Sequence, residues 1–178
     1  MRRFVILFGV LLVVLLSTLT LLFADFIRAQ AWHTRNGDSV SIGSHRITIP
    51  HNWEPAGPPN DLALPTADGT VMVRAARMPW NKRDSLLRFE PLRDEIVSDA
   101  LARDVVEAWI NGDEGRGDLA TSEVVTIKGR STFCCARRAY RNHTVGFFCL
   151  ARGFAYDISS IASSKYEAQV RALIASIE

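Results

Sequence analysis

Cysteine is scarce and comes late: the chain has three, and none precedes Cys134. A lipid-modified N-terminal cysteine is therefore excluded. Net charge is also scarce. The formal value is +2, and outside residues 1–31 the basic and acidic residues balance at 18 each. A neutral domain has no electrostatic footprint for nucleic acid. It is also poorly suited to binding an anionic lipid surface through a charged face. Catalytic signatures are missing too. No Gly-x-Ser-x-Gly elbow is present. The glycine-bearing stretch Asn111 to Asp118 lacks the Lys-Ser/Thr end of a phosphate-cradling loop, and its acidic residues lack the ligand spacing of a calcium loop. His33, His45, His51 and His143 are isolated from one another in sequence and lie near turns or linkers, which reads as exposed or locally bonded imidazoles. No catalytic residue, no cofactor and no metal ligand is expected. There is no internal repeat and no low-complexity stretch.

What the chain does have is one long apolar run. Phe4 to Ala24 reads FVILFGVLLVVLLSTLTLLFA, with Ser17, Thr18 and Thr20 as its only polar side chains. About 20 apolar residues span a bilayer as a helix. Arg2 and Arg3 precede the run, which puts the N-terminus in the cytoplasm and the rest of the chain outside. A core helix would show a polar face, and this segment has none. Two outcomes fit. The segment stays as an anchor, or it is removed at the small-residue site Ala29-Gln30-Ala31. Its length favours the anchor, because a signal peptide has an apolar stretch of roughly 7–15 residues. The expected organisation is a signal-anchor at 1–31, a linker at 32–38 (WHTRNGD) and an extracytoplasmic domain at 39–178. The placement expected is the inner membrane, crossed once through residues 4–24, with the domain in the periplasm. With 178 residues and 48% apolar composition, one domain with a real core is reasonable.

Alternation of polar and apolar residues predicts strands at Val40 to Pro50, with Arg46-Ile47-Thr48-Ile49 the clearest part, and at Thr70 to Arg77 after the hairpin signal Asp68-Gly69. Asp61 to Pro65 is a short strand candidate. Trp53 is expected to pack back on the sheet. Asn81 to Asp84 offers helix caps, followed by a short turn at 84–89. The main helix is predicted over 91–110, because Pro91 is tolerated in a first turn. Its buried stripe would be Leu92, Ile96, Val97, Ala100, Leu101, Val105, Ala108 and Trp109, ending at Asn111-Gly112. Strands follow at Thr121 to Lys128, Thr132 to Tyr140, Thr144 to Arg152 and Phe154 to Ala162. A last helix runs from Ser164 with Tyr166, Val170, Leu173, Ile174 and Ile177 on one face. Strands, helix, strands, helix is an α+β order, an antiparallel sheet with two packed helices.

Ile47-Thr48-Ile49-Pro50-His51-Asn52-Trp53, then Val125-Thr126-Ile127-Lys128-Gly129, then Phe154-Ala155-Tyr156-Asp157-Ile158 before the last helix follow the order of a PsbP-like domain. Over residues 38 to 178 the chain resembles that family, including its DcrB-like envelope members. The resemblance implies a non-enzymatic accessory, chaperone or partner-binding module. It carries over no set of functional residues.

The three cysteines sit on two adjacent strands. A two-residue loop at Arg141-Asn142 would place Cys134 opposite Cys149. A three-residue loop through His143 would place Cys135 there instead. Neighbouring residues of a strand face opposite sides, so only one of the two can reach Cys149. An oxidising compartment favours such a bond. Three buried thiols are the alternative. Zinc held with His143 is disfavoured because opposite-facing thiols cannot share one tetrahedral ion. Asn142-His143-Thr144 fits an N-glycosylation pattern, which matters only in a eukaryotic host.

Trp53 and Trp80 flank loops, and aromatic residues are enriched at binding hot spots. They are the candidate partner-binding residues, against covering the sheet edge. The function expected is binding of another protein. In its specific form the chain is an immunity protein neutralising an envelope-acting antibacterial toxin. The alternative is an accessory subunit or assembly factor of a membrane complex.

Overall fold

A computed structural model describes residues 2–56, 69–77, 85–112 and 118–178, with side chains described from Ile6 onward. Helix α1 (Arg2–Leu22) breaks at Phe23, and the chain bends by 70° into α2 (Ala24–Asn36). The apolar side chains of α1 are exposed, from Ile6 through Leu22. Among the described residues no single helix is long and apolar enough to cross a membrane, while α1 from Ile6 and α2 meet that test together across the bend. The two helices differ in kind. Helix α2 carries Asp25, Arg28 and Arg35 and buries Ala29, Trp32 and His33. The stretch 32–38 is thus a linker only at its end: Trp32 to Asn36 complete a helix whose Trp32 joins the domain core. The expectation failed there because few apolar residues mark the segment, and tertiary packing supplies the helix with its partner.

Strands β1 (Ser39–Ile42) and β2 (His45–Thr48) form a hairpin. Its turn needs Gly43, which has φ +58° and where a Cβ would stand 2.9 Å from the Tyr156 hydroxyl. The remaining strands are β3 (Trp53–Ala56), β4 (Val71–Ala75), β5 (Leu86–Pro91), β6 (Leu119–Lys128), β7 (Thr132–Tyr140), β8 (Thr144–Leu150) and β9 (Tyr156–Ser163). They make a seven-stranded antiparallel sheet in the order β3-β4-β5-β9-β8-β7-β6. The four C-terminal strands stand where their alternation predicts them.

The pleat sends alternate residues to two faces. One face carries Trp53, Val73, Leu87, Phe89, Ile158, Phe147, Cys135 and Phe133. The β1–β2 hairpin, Trp32 and helix α4 (Glu167–Ala175) bury it, with Tyr166, Val170, Leu173, Ile174 and Ile177 all inward as their spacing requires. The chain end is stitched to β2: the Arg46 amide donates to the Glu178 carbonyl at 3.1 Å and the Glu178 amide donates to the Arg46 carbonyl at 2.9 Å. The other face receives α3 (Asp99–Asn111) over β6, β7 and β8.

Two boundaries correct the expectations. The turn expected at 84–89 is replaced, in its described part, by a strand: Leu86–Pro91 is β5, burying Leu87 and Phe89 and turning Arg88 and Glu90 outward. Pro91 closes that strand where its missing N–H costs nothing. The helix therefore begins not at 91 but at Asp99, capped by Ser98, whose Oγ accepts from the Leu101 amide at 3.1 Å. Its buried face is also rotated. Ala102 and Val106 point inward with Ile96, while Val97, Leu101 and Val105 face solvent. The short strand expected at Asp61 to Pro65 and the cap at Asn81 to Asp84 lie outside the described residues.

Candidate functional site

Helix α3 covers only half of its face of the sheet, and the register says what the other half presents. A row of paired residues crosses the strands as Glu54, Arg74, Leu86, Ile161, Gly146 and Arg138. The next row reads Ala56, Met72, Arg88, Ser159, Phe148 and Ala136. Helix α3 lies over the ends of these rows at β7 and β8, where Trp109 stacks on Phe148 with ring centroids 5.4 Å apart. The Arg138 guanidinium lies 3.9 Å from the Trp109 ring centre, and its Nη2 donates to the Trp109 carbonyl at 2.5 Å. Beyond that edge, Ile161 is 53% exposed on the central strand of the sheet. A central strand normally buries such a side chain, so this exposure is informative.

The helix adds a ridge. Leu101, Val105 and Trp109 recur every four residues and so line one flank of α3, with Val97 just ahead of its cap. Trp109 anchors the ridge on β8, Leu101 and Val105 at 37% each carry it into solvent, and Val97 ahead of the helix is 65% exposed. The open half of the face thus carries Ile161 and Leu86, and α3 carries the exposed Leu101 and Val105. Charges rim that half. Arg88 Nη1 stands 2.9 Å from Glu90 Oε1. Asp157 sits directly opposite Glu90, and burial, reinforced by the Glu90 charge and opposed by Arg88, pushes its carboxyl up to about 6.

At the far end of the row is a buried charge centre. Glu54 is 0% exposed and accepts from Arg28 Nη2 at 2.6 Å and from Arg74 Nη2 at 2.8 Å. Arg28 also reaches Asp25 at 2.9 Å. The Glu54 hydrogen bond, more than the surrounding charges, holds the Arg28 guanidinium above its ordinary value. This cluster ties α2 to the sheet edge. Beside it a groove of about 650 Å³ is lined by Arg28, Arg35, Asn36, Ser39 and Ser41. On the core face, Glu167 accepts from Arg137 Nε at 2.8 Å and pairs with Arg171 at 3.0 Å; the Arg137 hydrogen bond is the first cause holding its carboxyl below the usual range.

Cys135 and Cys149 face each other across β7 and β8 and form a disulfide, buried under α4. The loop is Arg141-Asn142-His143, with His143 at φ 62°. Cys134 faces α3 as a free thiol in a cavity of about 120 Å³ with Asp99, Arg103, Thr126 and Thr132. Burial pushes that thiol up, and the lowering by Arg103 is opposed by Glu107 and Asp99, so it lacks the activation of a nucleophile. Trp53 is not a partner-binding residue: it is fully buried, and its Nε1 donates to Gln169 Oε1 at 2.6 Å. Trp80 lies outside the described residues. The residues that sequence reasoning missed are Leu86 and Ile161. The signal for Leu86 was the Leu-Leu-Arg-Phe-Glu alternation of β5, whereas Ile161 reads like any core residue. Comparison with known proteins finds no family model that matches the chain and no curated protein that matches it.

Proposed function

We propose that the chain is a membrane-anchored binding module: α1 crosses the inner membrane once, and the α+β domain docks another protein in the periplasm. The observation that carries the docking is Ile161, exposed beside Leu86 on a sheet face that α3 leaves half open, with Leu101 and Val105 exposed on α3 itself. An apolar centre with a charged rim is the anatomy of a protein interface. Two observations support the placement. A helix of 21 residues rises about 31 Å, close to the roughly 30 Å of a bilayer core, and its apolar side chains from Ile6 onward are exposed. The Cys135–Cys149 bond belongs with an oxidising compartment. Helix α2 fits a span poorly, because its buried face is committed to the domain. The PsbP-like order of elements agrees with a non-enzymatic module of this kind.

The test is affinity purification of tagged full-length protein from membranes, with Ile161→Arg and Leu101→Asp variants alongside. Both substitutions change exposed side chains, so melting should stay within about 1 °C of the parent. A partner held by the parent and lost from both variants supports the reading. A partner retained by both variants places its contact elsewhere and overturns it. The neutraliser of an envelope toxin and the accessory subunit then separate on α1. Replacing residues 4–24 with an unrelated anchor spares the first and disables a subunit that packs through its helix.

A further inference from the structure

His33, Asp38 and His51, five and thirteen residues apart in sequence, meet where α2 packs against the domain. His33 is 6% exposed on α2. Its Nε2 faces two main-chain carbonyls, Pro50 at 3.0 Å and Trp53 at 2.9 Å. Carbonyls only accept, so Nε2 carries a hydrogen and donates to them. Its Nδ1 stands 2.9 Å from Asp38 Oδ1, and His51 Nδ1 is 3.7 Å from the same oxygen. All three donor atoms lie within 4.8 Å of one another. Either a hydrogen on Nδ1 or a metal ion in its place satisfies a ring nitrogen and a carboxylate oxygen at that separation.

We propose that these three side chains bind one divalent transition-metal ion of the zinc class. Two imidazoles and one carboxylate suit that class better than magnesium or calcium. Metal–ligand bonds of about 2.0–2.1 Å place neighbouring donors roughly 3.0–3.4 Å apart. Asp38 and His33, at 2.9 Å, need to part by a few tenths of an ångström to reach that spacing, and His51, 70% exposed by its side chain and 3.7 Å from Asp38, has room to close in. The supporting shell is in place. A ligand histidine whose other nitrogen donates to backbone carbonyls is the usual arrangement around such ions. The main chain of the other two ligands is pinned: the Ile49 amide donates to the Asp38 carbonyl at 2.7 Å, and Gln30 Nε2 donates to the His51 carbonyl at 2.8 Å. The ligands come from α2, from the segment just after it and from the turn before β3. A bound ion therefore clamps the helix that follows α1 to the domain. This inference does not depend on the docking face.

The experiment uses full-length protein in detergent, stripped with a chelator and titrated with Co²⁺ and then Zn²⁺. The result expected is one Co²⁺ per chain with visible absorption bands that Zn²⁺ displaces. Changing the shell around a metal already weakens binding about 10–100-fold, so His51→Gln and Asp38→Asn should each weaken it at least tenfold. His45→Gln should not. A hundredfold excess of Zn²⁺ over its dissociation constant should raise the melting temperature of the parent by about 5–10 °C, and that of His51→Gln far less. Absence of cobalt bands and of a melting shift overturns the proposal. So does equal binding by the parent and both ligand variants.

Discussion

Glu54 offers the sharpest test of how the domain is held to the helix that follows α1. Its carboxylate is fully buried and receives Arg28 Nε at 3.0 Å on both oxygens, Arg28 Nη2 at 2.6 Å, and Arg74 Nε and Nη2 at 3.0 and 2.8 Å. Glu54→Gln keeps the shape, removes the charge and turns an amide donor toward arginine donors. Removing one partner of a fully buried pair costs about 3–5 kcal/mol. Here the arginine side chains stay 41% and 36% exposed, so water takes over part of their solvation. About 2 kcal/mol is then the expected loss after that discount. For a chain of 178 residues this lowers the melting temperature by about 4–8 °C. Arg28→Met should cost less, about 1 kcal/mol, because Glu54 keeps Arg74. Thermal unfolding of full-length protein in detergent, followed by circular dichroism, measures both. Because the carboxylate is buried, the loss should persist in about 0.5 M salt. A Glu54→Gln melt within 1 °C of the parent, or an Arg28→Met loss equal to it, would refute the reasoning.

Three further outcomes are expected. Cys149→Ser opens a bond that spans 14 residues and should cost about 3 kcal/mol, whereas Cys134→Ser should cost under about 1 kcal/mol; paired thermal melts decide between them. Asp157 holds its proton more tightly folded than unfolded, so the stability it contributes is greatest below its unfolded value of 3.8 and is lost as pH rises through about 6. Asp157→Asn should therefore flatten the melting profile between pH 4 and 7 and stabilise the protein at pH 7.5 by about 1 kcal/mol, a figure reduced for solvent screening; a profile identical to the parent's contradicts this. Gly129→Ala would drive a Cβ into the Ala175 carbonyl, so the end of α4 must move, at a cost of about 2 kcal/mol in an unfolding titration.

Much of the architecture is written locally. Strands β6 to β9 follow from alternation and from the punctuation at Gly129-Arg130, Arg141-Asn142-His143 and Gly153. The closing helix follows from the spacing of Tyr166, Val170, Leu173 and Ile177. The corrected start of α3 and its corrected buried face have one cause in common. Leu92 and Ile96 continue the helical spacing backwards from α3, so a helix beginning at Pro91 looked consistent, although the chain there is extended and the cap is Ser98. The same spacing cannot say which flank of α3 meets the sheet. Packing placed Ala102 and Val106 inward and left Leu101 and Val105 on the outside. Trp53 carries two expectations, and the fold keeps the packing against the sheet while removing the residue from any exposed binding surface.

By itself the sequence determined the long apolar run, the α+β order, the neutral character of the domain and the fact that only one of Cys134 and Cys135 can reach Cys149. These are properties of composition and of period-two or period-3.6 patterns, which local chain geometry translates directly. Only the tertiary structure decided the three-residue loop that pairs Cys135 with Cys149, the charge centre at Glu54, the half-open sheet around Ile161 and the meeting of His33, Asp38 and His51. Each joins residues from separate elements. Their approach depends on strand register and on how far a helix extends over a sheet, and no local pattern encodes either.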